Sequence, residues 1–146
     1  MSAWSDLPNA SHIDRVIVTL KKHTEIWGAA RDAARDEAWD AVRTAARHPA
    51  WKVIYDSIWM AKAWSEARAA ARDAVRDESY GAAYGAALNS AWGAILALIA
   101  YDDCEQYLSM TSEELQAWAT LTEQPAAVLL LPAVTAFERI NELESV

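Results

Sequence analysis

From Gly81 to Tyr101 the chain reads GAAYGAALNSAWGAILALIAY, an uncharged run in a protein that elsewhere places a charge every three or four residues. Such a run predicts the buried centre of the molecule. About twenty apolar residues also suffice to cross a bilayer. Ala and Gly contribute little to insertion, however, Asn89 and Ser90 sit near the middle, and the flanks are acidic with no Lys or Arg anchor close by. No membrane span is expected. Gly81 and Gly85, continued by Asn89, Gly93 and Ala97, place small residues every fourth position, a spacing that lets a neighbouring backbone come close.

Helical periodicity dominates on either side. A first helix is expected from Ser11, where Ser11 and Asp14 form a capping box, with Ile13, Val16, Ile17 and Leu20 on one face and Lys21, Lys22 and His23 at the negative end of its dipole. Thr24-Glu25 reads as a fresh helix start, leading through an alanine-lined face to Arg47. His48-Pro49 ends that helix, and a second carries Trp51, Ile54, Tyr55, Ile58 and Trp59.

A shift of 41 residues aligns ARDAARDE (Ala30 to Glu37) with ARDAVRDE (Ala71 to Glu78), Trp51 with Trp92, Ile54 with Ile95 and Ile58 with Ile99. Sixteen of the 41 pairs between 24–64 and 65–105 are identical; seven of these are Ala, so the other nine carry the comparison. The echo predicts two related hairpins, each a long helix, a break and a shorter helix, with the second break at Asn89-Ser90. The alternative position for that break is Ser79 to Gly81. Without any break, one helix from Pro49 to Leu108 would run about 90 Å, too long for a domain of this size.

Thr111 to Glu114 forms a capping box for a short helix with Leu115, Trp118, Ala119 and Leu121 inward. Pro125 opens an apolar segment, and Pro132 either kinks it or starts a last helix through Phe137, Ile140 and Leu143. The expected fold is therefore all-α: a compact multi-helix bundle of residues 1–146, one domain, built from the two hairpins with helices at each end.

Composition sharpens this. Ala, Arg, Asp and Glu dominate, Gly and Pro number four each, and eight Trp stand beside one Phe. At 146 residues the chain can bury a core without staples, and Cys104 is its only cysteine, as in a cytoplasmic protein. The N-terminal MSAWSDLPNA has no basic region followed by an apolar run, so no signal peptide is expected. A net charge of -8 disfavours nucleic acid.

Two i, i+4 rows combine arginine with aromatic residues: Trp27, Arg31, Arg35, Trp39, Arg43, Arg47, and Trp64, Arg68, Arg72, Arg76, Tyr80, Tyr84, Leu88, Trp92. Neighbours at this spacing touch, so guanidinium groups stack on rings. Trp, Tyr and Arg dominate interface hot spots, which makes Trp27, Arg31, Arg35, Trp39, Arg43, Trp64, Arg68 and Arg72 the candidate protein-binding residues. The competing reading is a structural ridge, because such a row drifts about 40° per step and cannot all face one partner. Asp32, Asp36, Asp40, Asp73 and Asp77 read as a solvated face neutralised by nearby Arg.

Asp102 and Asp103, beside Cys104 and Glu105, are the one candidate for acid–base or metal chemistry. No Glu-x-x-His pair, zinc spacing, P-loop or G-x-S-x-G accompanies them, and acids disfavour a thiolate at Cys104. They are expected to be hydrogen-bonding groups at a helix turn. No catalytic residue, metal or cofactor is expected, and the chain is not expected to be an enzyme.

LPNA at Leu7 to Ala10, HIDRV after it, the RDAARDEAWDA arrays and the closing AVLLLPAV together resemble the Ala- and Trp-rich helical proteins carried by phage and bacterial mobile elements, some of them labelled immunity proteins. The resemblance implies no catalytic residue and no cofactor. The function expected is a cytoplasmic, non-catalytic binding module that occupies a host or toxin protein; the alternative is a self-assembling, homo-oligomeric phage protein.

Overall fold

In the computed structural model, residues 3–33, 58–75, 81–122 and 125–144 are described. Among them lie seven helices and no strand: α1 (Ala10–Lys22), α2 (Thr24–Ala33), α3 (Ile58–Ala74), α4 (Gly81–Ala100), α5 (Glu105–Leu108), α6 (Ser112–Thr122) and α7 (Pro125–Glu144).

α4 is the centre of the bundle, packing against α1, α2, α3 and α7. Ala87, Ala91, Ala94, Ile95 and Ala97 are fully buried, and Leu96, Leu98 and Ile99 nearly so. Each buried Ile or Leu contributes about 1.5–3 kcal/mol. The alanines let neighbouring backbones approach, as do Ala63, Ala67 and Ala71, a fully buried row along α3. The small-residue spacing of α4 has the same use at Gly93, where a Cβ would meet Leu129 Cδ2 at 3.5 Å and the Leu129 carbonyl at 3.7 Å. At Gly85 a Cβ would meet nothing within 4 Å among the described residues. No helix among the described residues is long and apolar enough to cross a membrane.

The break expected at Asn89-Ser90 is absent, because α4 runs through both residues. Neither residue removes a backbone donor as proline does, and each costs a helix only a few tenths of a kcal/mol, which burial on both sides of them outweighs. α3 ends at Ala74, Val75 turns, and α4 begins at Gly81; Ser79 and Tyr80 of the alternative position lie outside the described residues. α3 also crosses the boundary between the two aligned units at residues 64 and 65, and 34–57 of the first unit lie outside the described residues, so the structure does not show helix–break–helix twice. The break at His48-Pro49 lies outside the described residues.

α1 starts at Ala10, and its expected capping box does not form. Asp14 Oδ1 instead accepts the Trp4 Nε1–H bond at 2.8 Å, tying the N-terminal turn to the helix. Thr24 is buried and donates its hydroxyl to the Leu20 carbonyl at 2.7 Å, so it finishes α1 and does not cap α2. The capping box of α6 is present: Thr111 Oγ1 accepts from the Glu114 N–H at 3.1 Å, and Glu114 Oε1 from the Thr111 N–H at 3.4 Å. Glu138 of α7 adds a second cap, accepting from Ser112 N–H and Oγ–H at 2.6 and 2.7 Å.

Leu115 of α6 is fully buried, whereas the side chains of Trp118, Ala119 and Leu121 lie outside the described residues. α7 begins at Pro125 and continues through Pro132. An interior proline costs about 3 kcal/mol, offset here by burial of Leu129, Leu130, Leu131, Ala133 and Val134 around it. The last helix runs through Phe137, Ile140 and Leu143 as expected; Phe137 and Ile140 are buried, whereas Leu143 at the helix end is 60 % exposed.

Candidate functional site

Arginine–aromatic stacking is realised where α3 meets α4. Trp64 and Arg68 lie one turn apart on α3, with Arg68 Cζ 5.7 Å from the centroid of the Trp64 ring. Trp92 comes across from α4: Arg68 Cζ stands 4.7 Å and Arg72 Cζ 5.8 Å from its ring centroid. Trp92 Nε1–H also donates to the Arg68 carbonyl at 3.3 Å, which locks the indole against α3. Trp64, Arg68 and Trp92 are half-buried and Arg72 is exposed.

This arrangement leaves binding capacity at the surface. Stacking engages the faces of the guanidinium groups, while their N–H donors point outward in the plane. Among the described residues neither Arg68 nor Arg72 has an ion-pair partner. The reason lies in helix geometry: at about 100° per residue, Glu66 and Asp73 fall about 140–160° round α3 from Arg68. Both acids are exposed, on the far flank of the buried alanine row.

The first arginine row has a different fate. Trp27 is wholly buried, meeting Phe137 edge-to-face at 5.6 Å and donating its Nε1–H to Thr19 Oγ1 at 3.3 Å. It is a core residue, removed from any binding surface because α2 packs on both α4 and α7. Arg31 lies on α2 with its side chain outside the described residues, as are Arg35, Trp39 and Arg43. Tyr84 sits on α4, its side chain likewise undescribed, and Leu88 is buried. One stacking pair was not foreseen: Arg15 Cζ stands 3.9 Å over the Phe137 ring.

Asp102 and Asp103 are exposed in the turn between α4 and α5. Gln106 Nε2–H donates to Asp103 Oδ2 at 2.9 Å, so Asp103 has the hydrogen-bonding role expected of it. Cys104 beneath them is buried, with its thiol directed to the carbonyls of Tyr101 and Ala97 at 3.3 and 3.4 Å. Burial, then the Asp103 and Asp102 charges, push that thiol up to about 12, so it stays protonated near neutral pH. The same burial raises Tyr101 and Tyr107. No group of three or more His, Cys, Asp or Glu among the described residues is placed to hold a metal ion.

Sequence reasoning passed over Asn9. Its side chain is buried, and its Nδ2–H2 group donates to the Leu98 and Tyr101 carbonyls at 3.1 and 2.7 Å. Asn9 thereby closes the C-terminus of α4, which has no basic residue in its last turn. No local signal reveals this, since the bonds span about ninety residues.

No protein family, curated protein or solved structure matches the chain.

Proposed function

We propose that this protein is a non-catalytic helical binding module whose contact surface is centred on Trp64, Arg68, Arg72 and Trp92. The observation carrying this reading is the pair of guanidinium groups held over indole faces at 4.7–5.8 Å without an ion-pair partner among the described residues. Rigid aromatic and arginine side chains already ordered before contact lose little entropy on binding, which is what interface hot spots share. Against an enzymatic reading stand the buried, protonated Cys104 and the open, solvated position of Asp102 and Asp103. A setting in phage or mobile elements, with a host or toxin protein as the one occupied, rests on the sequence resemblance.

Affinity capture from the source cells, run in parallel with wild type and Arg68→Gln/Arg72→Gln, tests this. The module reading predicts a protein retained by wild type and lost from the double variant, with the Lys21→Gln/Lys22→Gln control unaffected. Equal retention by all three would remove this surface from the function.

A further inference from the structure

The charge of this chain is unevenly distributed. From Asp77 to Glu138 there are nine Asp or Glu and no Lys, Arg or His, against a net charge of -8 for the whole protein. Within that run Asp102, Asp103 and Glu105 are exposed, and among the described residues none of them has an ion-pair partner. Arg68 and Arg72 are in the same position with opposite sign. The two sets do not neutralise each other within one copy. Ala100, where the acidic turn begins, lies just over two turns beyond Trp92, about 12 Å along α4.

From this we infer that the partner fitting the arginine–tryptophan cluster is a second copy of the chain, with Arg68 and Arg72 of each protomer against Asp102 and Asp103 of the other. The inference rests on the reading of this cluster as a contact surface and names a second copy as its occupant, in place of the host or toxin protein that the sequence resemblance suggests. The arginine pair sits on α3 beside Trp92 and the acidic turn follows the end of α4, so a two-fold axis between them brings each arginine pair to the acidic turn of the other copy. The contact is thus made twice, as two-fold symmetry requires. Between Trp92 and the turn α4 itself is buried from Ala94 to Ile99, so the contact is made by the exposed Arg72, the half-buried Arg68 and the exposed Asp102 and Asp103. Long-range repulsion between copies of net charge -8 is screened within about 10 Å at ~0.1 M salt, which leaves the local pairing to act.

Sedimentation velocity on the full chain tests this with charge reversal. Wild type at ~0.1 M salt is expected to move from 16.1 kDa toward twice that mass as concentration rises from about 10 to about 200 µM, and to return to monomer at ~1 M salt. Arg68→Glu/Arg72→Glu alone, and Asp102→Lys/Asp103→Lys alone, are expected to be monomeric. An equimolar mixture of the two regains the dimer, because each arginine-to-glutamate patch then meets lysines and each original arginine pair meets the original aspartates.

Circular dichroism matching wild type establishes that each variant is folded. A wild type that stays monomeric throughout, a dimer that survives either reversal, or folded variants that fail to associate on mixing would overturn the inference. If wild type is monomeric yet the captured protein is still lost from Arg68→Gln/Arg72→Gln, the binding-module reading stands and only the second copy is excluded.

Discussion

The side-chain amide of Asn9 lies 2.7 Å from the carbonyl oxygen of Tyr101, joining the start of the first helix to the end of the central one. The last carbonyls of a helix have no partner inside it, and here Asp102 and Asp103 follow where basic residues are favoured. Asn9 supplies donors to two of those carbonyls, Leu98 and Tyr101, and the Cys104 thiol a further contact to Tyr101. Asn9→Ala leaves buried acceptors unsatisfied and is expected to destabilise by about 2–3 kcal/mol in urea unfolding. Asn9→Asp, which turns a donor into a charge, is expected to cost more. A loss below about 0.5 kcal/mol for both would show that the amide does not hold this helix end.

Ser90 offers a contrasting case. Its hydroxyl is buried with no hydrogen-bond partner among the described residues, in the middle of a continuous helix. Ser90→Ala removes that desolvated oxygen and improves helix propensity, so thermal unfolding should show a gain of about 0.5–1 kcal/mol. A loss of stability would mean that the hydroxyl is satisfied in solution.

These two residues mark what the sequence does and does not make legible. The buried centre at Gly81 to Tyr101 was readable because charge is excluded over a long run, and the α6 start because a capping box is a local signal. The break at Asn89-Ser90 was misplaced because the alignment with His48-Pro49 carried a proline's effect onto two residues that continue a helix. Arg68 and Arg72 were found through i, i+4 spacing, and Trp92 joined them from a second helix and not along one row. Trp27 shares that spacing but is buried, since periodicity alone does not say which face meets the core. Asn9 and Glu138 act through contacts far along the chain, which no local pattern reports.

Cys104 sets the response to alkali. The unfolded chain releases the thiol proton near the ordinary value of 9.0, while the folded chain holds it to about 12. Its contribution to stability is therefore whole below 9.0 and is lost as pH rises toward about 12, with Tyr101 and Tyr107 acting in the same direction. Urea unfolding from about pH 8 to about pH 11 should show stability falling in wild type and falling less steeply in Cys104→Ala. Equal slopes would contradict the assignment. At neutral pH the native thiol should resist alkylation until the protein is unfolded.

Asp102 and Asp103 are exposed at the negative end of α4, where their charges work against the helix dipole. Asp102→Asn/Asp103→Asn is expected to leave the fold intact and to raise stability by about 0.5 kcal/mol, less at high salt. A substantial loss, read from the unfolding midpoint, would assign them a structural role that their exposure does not show.

The account depends most on Trp92 reaching across from α4 to Arg68, because that contact builds the proposed surface. A double-mutant cycle with Arg68→Gln, Trp92→Leu and the combination measures it directly. A favourable coupling of about 0.5–1 kcal/mol is predicted, for a guanidinium stacked on a half-buried indole. Additive effects, with no coupling beyond about 0.3 kcal/mol, would contradict the contact and the surface built on it.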